Sequence, residues 1–549
     1  MESPVGGEAI VSHPSAVPPC GGSRGLTPLP SGFRIELDAG TRQLSDGSLF
    51  GGSPARVMRL TPAGTAALAE LRAGPVRSPA AGLLARRLTD AGLAHPAPAD
   101  PVPAEPELAD PVRADRATPA CANGHSGDDR RTASVTVIIP VRDRAAMLER
   151  CLAAAGNRYP VVVVDDGSGD PEGIATIASR HGAVVRRRAA GGGPAAARNT
   201  GLAGLATDLI AFLDSDCVPP PEWVDRLVPH FADPLVAAVA PRIVQAGDLG
   251  TQGRAASVPA AVASPAARYA AACGSLDLGV LPARVQPAGR VGYVPTAALV
   301  VRRAALDSVA AGLPPFDPAL RYGEDVDLIW RLHETGWRIR YEPSVQVPHD
   351  GPVTWPGLLE RRFRYGTSAA PLARRHPSDM APLVLHPWPA LTVAALLARR
   401  PAAAVAGLAA AWLDMTTALR RAGVPADGTP AAMLTAVRQT WLGIGRYATQ
   451  FGAPAVAVAL ARPGRRSAAR RWGRRAAAAS LLLGPALNAY AERKPELDPV
   501  TFTLARIADE ICYGAGVWIG CLRERTLVPV KPVVSVRPLR LSGRRIGKD

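Results

Sequence analysis

A chain of 549 residues, 47% of them hydrophobic, has room for about three packed domains of ordinary size. Its formal charge of +16 favours polyanions (nucleic acid, anionic lipid headgroups, nucleotide phosphates) without choosing among them, and only three of the 63 basic residues, Lys494, Lys531 and Lys548, are not arginine. The seven cysteines are scattered with no Cys-x-x-Cys pair, which argues against a disulfide framework or a zinc site and fits a reducing cytosol; no apolar core follows a basic start, so no signal peptide is read.

Residues 1–32, rich in Pro, Gly and Ser, are expected to be disordered. A small unit follows over 33–95. Phe33 to Leu37 alternates like a strand, Asp46-Gly47 marks a hairpin turn, and Val57 to Leu60 reads as a returning strand. Thr61-Pro62 opens a helix that Gly74 ends, and Ser78 opens a second that Gly92 ends. Eight Arg against five acidic residues is a thin excess for a dedicated DNA reader, so no specific nucleic acid is expected. This unit, ending Arg86-Arg-Leu-Thr-Asp-Ala-Gly-Leu93, resembles the PqqD-like winged-helix domains that present a precursor peptide to its modifying enzymes. A small packing domain with no ligand is the alternative.

Residues 96–132 are Pro-rich and acidic, with few large apolar side chains, and read as an extended linker. From 133 to 375 the pattern changes to short apolar runs ending in polar or acidic residues, with helical spacing between them, as in βαβ units. The runs are Val135 to Pro140, Val161 to Val164 ahead of Asp165-Asp166-Gly-Ser, and Leu209 to Leu213 ahead of Asp214-Ser-Asp216. Leu148, Cys151, Leu152 and Ala155 share one face of the first helix. In an open α/β sheet ligands bind at the carboxyl ends of the strands, so Asp165, Asp166, Asp214 and Asp216 are expected to converge on one crevice. Carboxylates there suit Mg²⁺ or Mn²⁺ shared with substrate phosphates.

The order of these motifs, with Gly191-Gly-Gly-Pro ahead of Arg198-Asn199 and with Gly323-Glu-Asp-Val-Asp-Leu328 later, resembles the family 2 glycosyltransferases of the GT-A fold. The resemblance implies an α/β Rossmann-like domain that binds a nucleotide sugar. Pro140, Asp143, Asp165, Asp166, Arg198 and Asp214 would face the nucleotide, and Arg361 and Arg364 would close over the diphosphate. Asp214, Asp216 and His349 would hold the divalent cation, and Asp325, with Glu324 beside it, would serve the acceptor as general base. Arg198 as a surface residue, His349 as a plain loop residue and the Glu324-Asp325 pair as helix-capping acids are the competing readings. The full Gln-x-x-Arg-Trp signature of processive synthases is missing around Arg361, Arg362, Arg364 and Tyr365. Trp337 to Glu342 is read as an edge strand.

Residues 376–549 are Ala- and Arg-rich and read as helical. None of the apolar runs, Ala381 to Ala398, Pro401 to Leu413 and Ala476 to Ala489, is a secure membrane span; Arg462 to Arg475 is strongly basic, so an interfacial or buried helical region facing an anionic membrane is expected. The layout as a whole resembles the glycosyltransferases of the mycofactocin system. It implies transfer of a hexose, with inversion, from a UDP-sugar donor to a peptide-derived redox cofactor or its precursor, building a β-1,4-linked glucose chain at the cytoplasmic side of the cell. An enzyme of cell-envelope polysaccharide or glycolipid synthesis and a non-enzymatic polyanion-binding protein are the rivals.

Overall fold

The computed structural model describes residues 27–53, 55–98, 134–246, 264–310, 312–421, 429–461 and 468–535. The expectations for residues 1–26 and for the linker at 99–133, and the Arg462 end of the basic run, lie outside them.

The N-terminal module comprises β1 (Arg34–Leu37), β2 (Arg42–Gln43), β3 (Leu49–Gly51), β4 (Arg56–Met58), α1 (Pro62–Ala73), α2 (Pro79–Asp90) and β5 (Ala94–Ala97). Both helix starts read from the sequence are present. The Thr61 hydroxyl accepts from the Gly64 N–H and the Ser78 hydroxyl from the Ala81 N–H, each with proline at the first helical position. The strand pairing differs from the sequence reading. The Asp46-Gly47 turn joins β2 to β3, and β4 returns along β3, while β1 pairs antiparallel with β5. The boundaries move as well. Leu29, placed in the disordered stretch, is buried in the module core, and Pro96, placed in the linker, pairs with Ile35.

The central domain is β6 (Val135–Val141), α3 (Ala145–Ala155), β7 (Val161–Asp165), α4 (Pro171–Arg180), β8 (Val184–Arg187), α5 (Gly193–Leu202), β9 (Leu209–Leu213), α6 (Trp223–Leu227), β10 (Val236–Gln245), α7 (Pro265–Cys273), β11 (Ala283–Val285), β12 (Ala298–Arg302), α8 (Arg303–Ala310), α9 (Glu324–Glu334), β13 (Arg338–His349), α10 (Trp355–Thr367) and α11 (Ala369–Arg375). One sheet has the order β11-β13-β10-β12-β9-β6-β7-β8. Registers show β6, β7, β8, β9, β10 and β13 running one way, and β11 and β12 the other. The Trp337 to Glu342 stretch is therefore the start of an interior strand. β13 continues to His349, which is what carries that residue to the pole where β6, β7 and β9 also end. The continuous apolar runs of β7 and β9 are buried along their length, as strands covered on both faces must be.

The remaining elements are β14 (Val384–Leu385), α12 (Pro387–Leu397), α13 (Pro401–Arg421), α14 (Thr429–Ala461), α15 (Ala468–Arg493), α16 (Pro499–Glu524) and β15 (Val533–Val534). The last helix is welded to α10 by glycines. A Cβ on Gly516 would lie 2.0 Å from the Phe363 carbonyl oxygen, and one on Gly366 would lie 2.2 Å from that of Tyr513. Both contacts are with backbone that cannot yield. Gly516→Val is therefore expected to separate the two helices and to cost activity and thermal stability together; wild-type melting temperature and kcat in this variant would show the contact to be dispensable.

The module docks at the amino ends of the parallel strands. Arg86 makes two 2.7 Å hydrogen bonds to Asp233, with both side chains fully enclosed. Arg338 grips Asp90, and Arg290 grips Asp38 at 2.7 and 2.9 Å. Removing one partner of a buried pair strands the other charge and costs about 3–5 kcal/mol. Arg86→Met is accordingly expected to lower the melting temperature by several degrees, and a change within one degree would show that the pair does not anchor the module.

Candidate active site

The strand ends and the loops after them enclose a cleft of about 670 Å³, within the range of small-molecule sites. Pro140, Asp166, Arg198, Asp214, Asp216, Glu324, Asp325, His349 and Arg361 line it. Asp143, Asp165 and Arg364, expected to face the nucleotide, do not.

The reasons are local. Asp165 is 1% exposed, its carboxylate taken by the Ser168 N–H and the Arg187 guanidinium. Asp143 accepts from the Gly169 N–H, holding the turn after β7. Arg364 sits on the outer face of α10, paired with Glu360 four residues back. Asp166 reaches the cleft, but it also accepts from the N–H groups of Gly192 and Gly193 and from Arg188. It thus fastens the glycine loop whose close approach needs Gly167: φ is +77° there, and a Cβ would meet the Gly191 nitrogen at 2.7 Å.

Arg198 lies 3% exposed between two acids, with 2.8 Å to Glu324 Oε1 and 2.7 Å to Asp214 Oδ1. These two contacts form a clamp that ties the end of β9 to the start of α9. The neighbouring Asn199 exchanges hydrogen bonds with the Phe316 backbone and secures the segment leading to α9.

Asp216 and His349 are brought together by backbone. The Asp350 N–H donates to the Asp216 carbonyl, the Val218 N–H donates to the Pro348 carbonyl, and Cys217 bridges to His349. His349 Nε2 stands 3.6 Å from Asp216 Oδ1, which is buried and without a hydrogen-bond partner. Burial holds the imidazole below its ordinary range, so it is a neutral donor near pH 7. An orphaned carboxylate oxygen facing a neutral imidazole fits a divalent cation. Asp214 lies close by, but one of its oxygens is on Arg198, and burial raises its pKa. The other Asp216 oxygen pairs with Arg144, a residue absent from the sequence reading. Among the described residues Arg361 makes no ion pair, so a cation on the cleft wall is free for a phosphate.

Asp325 lies across the cleft, half-buried in the first turn of α9, its Oδ1 accepting from the Val326 N–H at 2.8 Å. Burial, with the Glu324 carboxylate adjoining, pushes its carboxyl up to about 7. The ~0.3–1 kcal/mol that a helix N-terminus offers a carboxylate is outweighed. Tyr293, Tyr322, Tyr365 and Tyr513 complete this side. Tyr513 comes from α16 and lies under the Arg362 guanidinium, 4.8 Å from its ring centroid, while Arg362 also pairs with Asp509 at 2.8 Å. Nothing in the pattern around Tyr513 signals that this helix reaches the site. A further imidazole-carboxylate group, Glu334, His376 and Asp379, stands away from the cleft, with each ring nitrogen of His376 already against a carboxylate, from Glu334 and Asp327.

A family model described as Glycosyl transferase family 2 matches residues 136–305. The "Pre-mycofactocin glycosyltransferase" of Mycobacterium tuberculosis, in strains CDC 1551 and H37Rv alike, is 36% identical over 535 residues, spanning 92% of this chain and 99% of that protein. The "Glycosyltransferase AglE" of Haloferax volcanii is 36% identical over 103 residues, 17% of this chain and 33% of its own. Among solved structures, the mannosyltransferase PcManGT from Pyrobaculum calidifontis, in complex with GDP-Man and Mn²⁺, aligns at 21% identity over 65% of this chain and 90% of its own. Its TM-score of 0.34 is too low to carry an argument.

Proposed function

Since the chain belongs to the pre-mycofactocin glycosyltransferases, built on a glycosyltransferase family 2 domain, we propose that it transfers a hexose from a UDP-sugar, glucose by preference, to pre-mycofactocin, extending it as a β-1,4-linked chain. The observation that carries this reading is the pairing across one cleft of a metal-ready Asp216-His349 corner with a half-buried carboxylate, Asp325. Asp325 takes the proton from the acceptor hydroxyl as that oxygen attacks the anomeric carbon in line, which inverts its configuration. Arg361 and Arg144 receive charge on the departing diphosphate, and Asp166 orients the nucleoside end. Mg²⁺ or Mn²⁺ on Asp216 and His349, with Asp214 adjoining, supplies Lewis-acid neutralisation of that leaving group when bound. Glu324 acts through Arg198 as a positioning residue.

The test is conversion of pre-mycofactocin with UDP-glucose, read by mass: an increment of one or more hexoses supports the proposal, and transfer only from another nucleotide sugar removes the donor assignment. The pH profile adds a check. A base must be ionised, so kcat/KM should climb with unit slope as pH rises through about 7, the value to which Asp325 is pushed. A flat profile between pH 5.5 and 8 would remove Asp325 from that role.

The module is proposed to engage the peptide part of the acceptor, as PqqD-like domains do. It would act from the far pole of β13, roughly 35 Å from the cleft at 3.3 Å per residue. The apolar hairpin of α12 and α13 supports a cytoplasmic, membrane-facing location. α13 is long and apolar enough to cross a bilayer by length and composition alone, and Trp388, Trp412 and Leu413 are exposed, with Arg399 and Arg400 at the turn. Such a face suits the surface of an anionic bilayer.

A further inference from the structure

The junction between module and central sheet holds more positive charge than its own carboxylates answer. Arg340 is 3% exposed, and none of its three guanidinium nitrogens has a hydrogen-bond partner among the described residues. Directly across the ladder, Arg284 of β11 is its register partner, and Arg284 Nε is also without one. Strand alternation puts Arg338 on the same face as Arg340, and Arg86 enters from α2.

Four guanidiniums thus meet two carboxylates: Asp233 is engaged by Arg86, and Asp90 by Arg338 and, at 3.8 Å, by Arg284, which also donates to the Asp90 carbonyl, so Arg340 is the one left with nothing opposite it. The next charged groups out cancel in pairs: Arg56 beside Arg284 against Glu342 beside His230, and Arg290 against the Asp38 it grips beside His95. The three nearby histidines add no further positive charge: burial lowers His95 and His333, and it lowers His230 to about 4. His230 Nδ1 is itself unpartnered. A guanidinium is a fork of donors with no acceptor, so burying one with nothing opposite it leaves the full desolvation penalty standing.

We propose that this junction is a binding site for a small inorganic anion, chloride or phosphate, held by Arg340 with Arg284, which completes the seam between the N-terminal module and the catalytic sheet. The anion is a structural ligand: it lies at the opposite pole from Asp216 and Asp325, and nothing about it depends on the identity of the sugar donor. Its consequence is that docking of the module becomes sensitive to anion concentration, because a ligand that binds only the assembled junction stabilises it by mass action.

The experiment uses the full-length protein in sodium HEPES at fixed ionic strength, with chloride or phosphate exchanged in. Thermal unfolding of the wild type should rise by several degrees and saturate with one of the two ions, and the responding ion identifies the ligand. Arg340→Met should lose that response. An equal response in both proteins, or none in the wild type, overturns the proposal. Should Arg340→Met fail to fold, wild-type crystals grown in bromide decide: an anomalous peak within contact distance of the Arg340 guanidinium supports the site. Density for water alone there refutes it.

Discussion

Asp325→Asn is expected to lower kcat by about 10²–10⁴, the usual contribution of a positioned general base, while leaving metal-dependent binding of UDP near wild type. The separation follows from geometry: Asp325 stands on the acceptor side, and the Asp216-His349 corner lies across the cleft. The same substitution should raise stability. Asp325 has a folded pKa of about 7 against an ordinary aspartate value of 3.8, so the fold favours its protonated form. Folding stability is therefore lost as pH climbs from about 4 to about 7, and above that range the charged group is a standing penalty that the neutral amide removes. An inactive protein that melts higher than wild type at pH 8 is the signature of a functional group held against its own comfort. If kcat stays above about a tenth of wild type, a loss under ~1.4 kcal/mol in the barrier, Asp325 is not the base.

Asp216→Ala should do the opposite, losing cation and nucleotide together. Its Oδ1 is the unpartnered oxygen facing His349, and its Oδ2 holds Arg144. Outer partners of metal ligands commonly cost 10–100-fold in affinity when removed, so a ligand itself should cost at least about 100-fold. Calorimetry with Mn²⁺ and UDP reads both losses; unchanged binding of either would take Asp216 out of the site. Arg144, released from its ion pair, provides an internal control, because Arg144→Ala alone should weaken UDP far less than Asp216→Ala.

The catalytic half of the fold was legible because its grammar is local. Apolar runs ending in Asp166, Asp214 and Asp216 state both a strand and the end at which it opens, and one direction of travel then gathers those ends at one pole. Most of the misreadings needed information from far along the chain. Nothing near Asp46-Gly47 says that β1 will pair with Ala94–Ala97. Nothing near Trp337 says that β11 will cover β13 and make it interior. Arg364 looked like its neighbour Arg361, and three positions on a helix were enough to turn it toward Glu360 and solvent. Arg198 was placed at the site correctly by its motif, but its part in clamping Asp214 to Glu324 required knowing how α9 meets β9. Gly516 is where another helix's backbone sits, a contact that no local pattern announces.

That last contact bears on when the enzyme becomes an enzyme. Tyr513 and the Asp509 that steadies Arg362 come from α16, long after Asp325 and His349 in the order of synthesis. A growing chain whose sheet has already folded would expose a cleft open on its acceptor side, with Arg362 and the tyrosine cluster unbraced. On the proposed mechanism, a chain terminated ahead of α16 would carry Asp216, His349 and Asp325 while lacking the Tyr513 wall of the cleft, so that translation would time activity.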